Sequence, residues 1–378
     1  MQTLPQETQF QSNYPITINA AKFNQFLDLC KNLDDTWSLI IGMYFSKTKQ
    51  GLFAVCSTRW GTIRVKLSDQ FFDFSNTSFF IKHFPKLSED FSFFWDSKNL
   101  IVDCKAGKVN VPLIENDFFN YGHIEEHSGY DPKPIPTLAL LESLPAMLKI
   151  ITKDSIRNYG SILHIDATSE NVRFVGSDGF RLAYYDFAVS NQETLDNLNL
   201  THSACQFLAK LAKISKKEKQ EIKVNCSEDK TTLYVSCGDI VASWRTSSVK
   251  FPQYKAVIPN RHGYTMAIIR DVKSKVSELK PLLKLAGKHK VARFIGETNE
   301  SIENKIEVFG EQNPVGAINF NHASRSEIRF NAKFFLDCLS TLPCDSFSLY
   351  TKNNDEPIIL ESGRLTFLIV PVLHADEK

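Results

Sequence analysis

The sequence predicts an α+β protein of three similar segments, each with two helices packed on antiparallel sheets. Three observations predict it. Short runs alternate apolar and polar side chains and turn at glycine. Other stretches carry apolar residues at helical spacing behind a cap-forming residue. One hairpin pattern also recurs along the chain. Residues 101–106 lead through Gly107 into the strand 108–113, residues 233–237 through Gly238 into 239–244, and residues 359–362 through Gly363 into 364–370. The three glycines lie 131 and 125 residues apart, about one domain length. Two of the hairpins have similar exits, Asp117-Phe118-Phe119-Asn120-Tyr121 and Lys250-Phe251-Pro252-Gln253-Tyr254.

The helices follow in chain order. Residues 19–30 open on Asn19 in cap position, with Phe23, Phe26, Leu27 and Cys30 on one face. Residues 77–88 supply the second helix of the first segment. Residues 138–153 and 203–219 serve the second segment, and residues 267–290 the third. Residues 331–339 close the set. There Asn331-Ala332-Lys333-Phe334-Phe335 echoes Asn19-Ala20-Ala21-Lys22-Phe23. Two punctuated stretches separate the segments. Residues 122–136 hold two glycines and three prolines, and their only apolar side chains are Ile124, Tyr130 and Ile135, a linker composition. The shorter one is Pro259-Asn260-Arg261-His262-Gly263. The resulting domains are 1–130, 131–260 and 261–378.

Of the 378 residues, 43% are hydrophobic and 23% charged, which excludes a disordered or fibrous chain. No apolar run approaches the roughly 18 residues of a membrane span. The N-terminus, Met1-Gln2-Thr3-Leu4-Pro5-Gln6-Glu7, has no basic region leading into an apolar one, so no signal peptide is expected. The eight cysteines stand singly among apolar neighbours, the usage of reduced, buried thiols in a cytoplasmic protein.

Enzyme motifs are missing. The chain contains no GxGxxG, no phosphate-binding GxxxxGK[ST] and no GxSxG. His123-Ile124-Glu125-Glu126-His127 satisfies the HxxEH pattern of inverted zinc peptidases. That chemistry needs a stable helix and a distant third ligand. Here the motif lies between Gly122 and Gly129 with Pro132 close behind, so it reads as solvated linker. A zinc hydrolase at His123, Glu126 and His127 is the enzyme alternative. His202 and Cys205 lack two further ligands, the cysteines form no CxxC pair, and no pair of carboxylates suits acid–base work. The expectation is a protein that is not an enzyme and uses no cofactor or metal.

Charge is more informative. Forty-four Lys and Arg against forty-three Asp and Glu give a net charge of +1, apparently unsuited to a nucleic-acid partner. The total conceals an asymmetry. Residues 201–219 carry +4 and residues 266–290 carry +5, which leaves −8 on the rest. Lys210, Lys213 and Lys217 share one helical face, as do Lys273, Lys280 and Lys284. Leu208, Leu211, Ala212 and Ile214, and on the other helix Val276, Leu279 and Leu283, occupy the opposite faces. A basic stripe backed by an apolar one suits a helix that packs on a sheet and presents lysine to phosphate.

Three motifs then carry a resemblance. Residues 172–183 contain Ser177-Asp178-Gly179-Phe180-Arg181-Leu182-Ala183, similar to the "ATDGHRLA" turn of the bacterial sliding clamp family, the β subunit of DNA polymerase III. Residues 249–259 resemble its "GRFPDYxxVIP" segment, and Thr366-Phe367-Leu368-Ile369-Val370-Pro371-Val372 its "YLIMPV" ending. The likeness is best over 138–259 and 329–372. It implies three clamp-type domains per chain and a head-to-tail homodimeric ring around double-stranded DNA, with the lysine faces turned inward and no base read. It also implies an apolar groove for short peptides of a replicative DNA polymerase and of repair proteins, a clamp-loader ATPase as partner, and a nucleoid-associated location. Position by position, the groove comprises Gly179, Phe180, Arg181, Leu182, Pro252, Val257, Pro357, Ile369, Val370, Pro371 and Val372. Phe180 replaces the family's usual His and Ala256 a commonly basic residue. No role is carried over to the residues around Tyr159. The subunit contact would join Val109 and Val111 of one chain to Leu282 and Leu285 of the other. The alternative is a clamp-like paralogue or mobile-element protein that binds clamp partners without normal loading.

Overall fold

Four antiparallel sheets carry the described chain, two of eight strands and two of four. The computed structural model describes residues 16–31, 33, 40–46, 51–69, 77–84, 87–95, 98–105, 107–114, 132–189, 195–295, 305–311, 313–320 and 327–372. They fall into two units, Met1–Ile135 with Lys213–Arg245, and Pro136–Ala212 with Thr246–Lys378. The HxxEH stretch 123–127 lies outside the described residues.

In the first unit, β2 (Ile40–Ser46), β3 (Gly51–Thr58), β4 (Gly61–Ser68) and β5 (Thr77–Phe80) join β9 (Lys133–Ile135), β14 (Ile222–Cys226), β15 (Thr232–Cys237) and β16 (Ile240–Arg245). Their order is β5-β2-β3-β4-β16-β15-β14-β9. The smaller sheet runs β1-β6-β7-β8, from β1 (Ile16–Ile18) through β6 (Phe91–Trp95) and β7 (Asn99–Cys104) to β8 (Gly107–Pro112). Helix α1 (Ala20–Cys30) is capped as its sequence predicts, the Asn19 side chain accepting from the Lys22 amide. Its buried Phe23 packs 4.6 Å from the Phe84 ring and 5.6 Å from Phe91. Each such fully buried aromatic contributes roughly 1.5–3 kcal/mol.

The second unit repeats the plan. β10 (Ile162–Ala167), β11 (Asn171–Ser177), β12 (Arg181–Ala188) and β13 (Leu198–Thr201) join β17 (Thr265–Arg270), β22 (Ser346–Thr351), β23 (Ile358–Ser362) and β24 (Leu365–Ile369). The order, β13-β10-β11-β12-β24-β23-β22-β17, matches the first large sheet strand for strand. Its smaller sheet is β20-β19-β18-β21, made of β18 (Val291–Ile295), β19 (Lys305–Phe309), β20 (Pro314–Asn319) and β21 (Ile328–Asn331). Helices α2 (Thr137–Ile150), α4 (Val272–Leu285) and α5 (Ala332–Leu339) belong to this unit, while α3 (His202–Glu218) is divided between the two. Asn331 caps α5, accepting from the Lys333 and Phe334 amides. The chain is α+β, as its patterning predicts.

Two predicted helices differ. Residues 77–88 begin as strand β5 and continue as a 3-10 turn at Ile81–His83. The run Thr-Ser-Phe-Phe finds an open edge on β2, where Phe79 pairs with Ile41 and becomes fully buried. Among the described residues the first segment therefore has one α-helix rather than two. Residues 267–270 belong to β17, with Ile269 opposite Phe347, and Asp271 then turns the chain through φ 57° before α4 starts. That helix ends at Leu285, so Lys288 and Lys290 lie beyond it. Lys290 Nζ instead donates to the carbonyls of Leu283 and Ala286, closing the helix end.

Six of the eight cysteines are buried, Cys104 is half-buried and Cys344 exposed. Burial pushes the thiols of Cys226 and Cys237 up to about 11 and those of Cys205 and Cys338 higher still. A thiol reagent at neutral pH should label Cys344 quickly, Cys104 more slowly, and the other six only after unfolding. Mass spectrometry showing fast modification of any of those six in native protein would contradict this packing.

Candidate partner-binding groove

The hairpin between β11 and β12 builds one wall of an open groove of about 340 Å³ in the second unit. Its turn is Ser177-Asp178-Gly179-Phe180-Arg181. Asp178 Oδ1 accepts the amides of Phe180 and Arg181, both at 2.9 Å, and so fixes a tight reversal. Gly179 sits at φ 88°, in the left-handed region. A Cβ there would lie 1.4 Å from Nη1 of Arg157 and 2.8 Å from the Tyr159 hydroxyl. Glycine thus allows both side chains to lie across the turn.

Alternation then sends neighbouring side chains opposite ways. Phe180 points out and is 55% exposed, while Arg181 points in and is only 7% exposed. Each nitrogen of the Arg181 guanidinium has a partner. Nε meets Asp178 at 2.9 Å, Nη1 meets Asp337 of α5 at 3.0 Å, and Nη2 donates to the Lys149 carbonyl of α2 at 2.7 Å. It also lies 4.3 Å over the Phe334 ring, and Lys333 bonds Asp337 from the other side. Buried charge of this kind is tolerated only when every donor is met. Arg181 therefore acts as a strut between β12, α2 and α5.

The opposite wall comes from β24 and its exit. Arg181 pairs with Ile369 and Leu182 with Leu368, and the Val370 amide donates to the Phe180 carbonyl at 2.9 Å. The floor is a cluster of Ile162, Val175, Leu182, Tyr184, Phe251, Tyr254, Ile359 and Leu368. Tyr254 is held by a 2.5 Å bond from its hydroxyl to Asp166, and burial together with that carboxylate pushes its phenol up. Asp166 stays below the usual carboxylate range: burial opposes ionisation, but the bonds from Lys255 and Tyr254 outweigh it.

Nine of the eleven residues assigned from the sequence line this groove: Gly179, Phe180, Arg181, Leu182, Pro252, Val257, Pro357, Val370 and Pro371. Ile369 is fully buried behind it because it alternates inward from Val370. Val372 is part-exposed and does not line the groove; its amide is tied to the Arg329 carbonyl. Arg157 and Tyr159 were missed and stand at the mouth, with the Arg157 guanidinium 5.0 Å over the Phe180 ring and 3.1 Å from the Tyr159 hydroxyl. A cation and an aromatic two residues apart, just before a strand, were the available signal, but they sit around an irregular 3-10 turn, Asn158–Ser161.

The other assigned residues lie elsewhere. On α3, Lys213 and Lys217 are exposed and Lys210 half-buried, with Leu208, Leu211 and Ala212 buried behind them. On α4, Lys273, Lys280 and Lys284 are exposed, backed by Leu279 and Leu283. Val109 and Leu285 are exposed and Leu282 half-buried, whereas Val111 is fully buried within its own unit. Strands β8 and β20 each end a small sheet. Among the described residues no group of three His, Cys, Asp or Glu side chains could hold a metal, and no helix is long and apolar enough to cross a membrane.

Replacing Arg181 by Ala would take the guanidinium from two mostly buried carboxylates, leaving Asp337 with Lys333 and Asp178 with its two turn amides. We expect a loss of about 3–5 kcal/mol, read from urea unfolding. A loss below about 1 kcal/mol, the worth of an exposed pair, would contradict the strut.

No protein-family model matches the chain. In sequence it is similar to the beta sliding clamp of Synechocystis sp., 22% identical over 301 residues that cover 73% of this chain and 74% of that one. It is also similar to the beta sliding clamp of Chlamydia trachomatis, 26% identical over 215 residues, 53% of this chain and 48% of that one. In structure it matches the DNA polymerase III beta subunit of Thermotoga maritima with a TM-score of 0.78 at 14% identity, over 96% of this chain and all of that one. The chain has the sliding-clamp fold and is a divergent relative of the bacterial beta sliding clamps.

Proposed function

We propose that the chain is a DNA sliding clamp, a non-enzymatic protein that encircles duplex DNA and tethers a replicative polymerase through the groove at Gly179 and Phe180. The groove carries this reading. Eight residues assigned from three motifs far apart in sequence, together with Pro357, line one apolar concavity of peptide-binding size. Its exposed apolar groups, Phe180, Val257 and Val370, suit the leucine and phenylalanine anchors of a short extended peptide. Proteins that carry such peptides would share the site in turn, and a clamp-loader ATPase would use it during loading.

The duplex would be held by charge alone. Lys213 and Lys217 on α3, and Lys273, Lys280 and Lys284 on α4, are exposed cations on helices whose other faces are buried. Lysine at that spacing attracts phosphate without reading bases. Three clamp domains, 1–130, 131–260 and 261–378, are supported by the matching strand orders of the two large sheets. Ring closure by a second copy would use the free edges of β8 and β20, with Val109 and Leu285 as exposed apolar contacts. Val111, buried in its own unit, would support β8 rather than touch the partner. The protein would act in the cytoplasm, at the nucleoid.

Val370 is 52% exposed, so Val370→Asp should fold normally while placing a charge in the groove. Binding of a glutamine-x-x-leucine-phenylalanine peptide, followed by fluorescence anisotropy, should weaken by at least about 30-fold, the loss of one interface anchor. Unchanged affinity would exclude this groove as the peptide site.

A further inference from the structure

The first unit carries a counterpart of the Phe180 hairpin, and we propose that it is a stacking site for single-stranded nucleic acid, centred on Trp60. The two hairpins correspond residue by residue. Gly61 pairs with Trp244 as Arg181 pairs with Ile369. The Arg245 amide donates to the Trp60 carbonyl at 2.8 Å, as Val370 does to Phe180. Thr58 Oγ1 accepts the Trp60 amide at 3.1 Å, where Asp178 accepts that of Phe180. In each case an aromatic ring stands exposed at the turn with a guanidinium over it, Arg59 at 4.7 Å from the Trp60 ring. Trp60 is 43% exposed.

The differences decide the ligand. The acidic Asp178 of one hairpin is the neutral Thr58 of the other, and the inward Arg181 is Gly61. The local cations are therefore uncompensated: among the described residues neither Arg59 nor Arg245, both exposed, has an acidic partner. An exposed indole under the Arg59 guanidinium, with the exposed Arg245 bonded through its amide to the Trp60 carbonyl, matches a nucleotide, whose base stacks on the ring while its phosphates meet arginine. Duplex DNA keeps its bases stacked on one another and offers the ring nothing. This site is separate from the groove and does not depend on it.

The test is binding of a fluorescent oligothymidylate to the full chain, compared with a duplex of the same length. Trp60→Ala should weaken single-strand binding by about 5- to 150-fold, the range measured for losing one stacked base, and leave duplex binding unchanged. Trp60→Phe should restore most of it, which a merely structural role would not explain. The double variant Arg59→Gln, Arg245→Gln should reduce the slope of log affinity against log salt by about 1.4, at 0.7 per single-strand phosphate. The proposal is overturned if Trp60→Ala binds the oligonucleotide like the parent, or loses duplex equally. It is likewise overturned if the variant loses only a clamp-binding peptide, which would make the hairpin a protein site.

Discussion

Strand pairing between distant parts of the sequence is the constraint on which the structure depends. β4 would be an open edge without β16, and β12 without β24. An unpaired edge of that length is an aggregation hazard and leaves a row of backbone donors and acceptors unmet. Closing both edges in antiparallel register builds the two large sheets and also creates the groove. Because Arg181 lies opposite Ile369, the chain leaving β24 must run beside the glycine turn, and Val370 and Pro371 arrive next to Phe180.

The same alternation divides labour within the turn. Arg181, directed inward, ties β12 to α2 and α5 through Asp178, Asp337 and the Lys149 carbonyl. Phe180, directed outward, is left available, with Arg157 across its face. Stability and recognition are thus assigned to adjacent residues by a period of two. The first unit keeps the backbone plan at Trp60 but replaces the acid–base pair of the turn by Thr58 and Gly61. One scaffold then carries an apolar groove at one turn and an exposed indole under a guanidinium at the other.

Much of this was legible in the sequence, and the physical reason differs by element. Asn19 and Asn331 announced their helices because a side-chain cap is a local signal. Val370 and Pro371 could be placed by motif, and Ile369 only misassigned, because motif identity does not say which face of a strand a residue occupies. Residues 77–88 read as a helix since Phe80, Phe84 and Leu87 fall at helical spacing, but Thr77, Phe79 and Ile81 also alternate, and the edge of β2 decides for strand. The end of β17 was hidden by Asp271, whose positive φ has no sequence signature. Pairing of β4 with β16 was invisible, as contacts between residues 175 to 183 positions apart leave no local pattern. Arg157 and Tyr159 owe their place to Gly179, a dependence only the folded turn reveals.

The net charge of +1 is compatible with a DNA partner because +9 is concentrated on residues 201–219 and 266–290. If charge only guides and a closed ring retains, escape from DNA must depend on topology rather than on affinity. The direct measurement is retention of the labelled protein after loading onto a nicked circular duplex, before and after one cut that linearises it. The account predicts slow loss from the circle and rapid loss once the duplex has ends. Equal rates of loss from circle and linear duplex would contradict it.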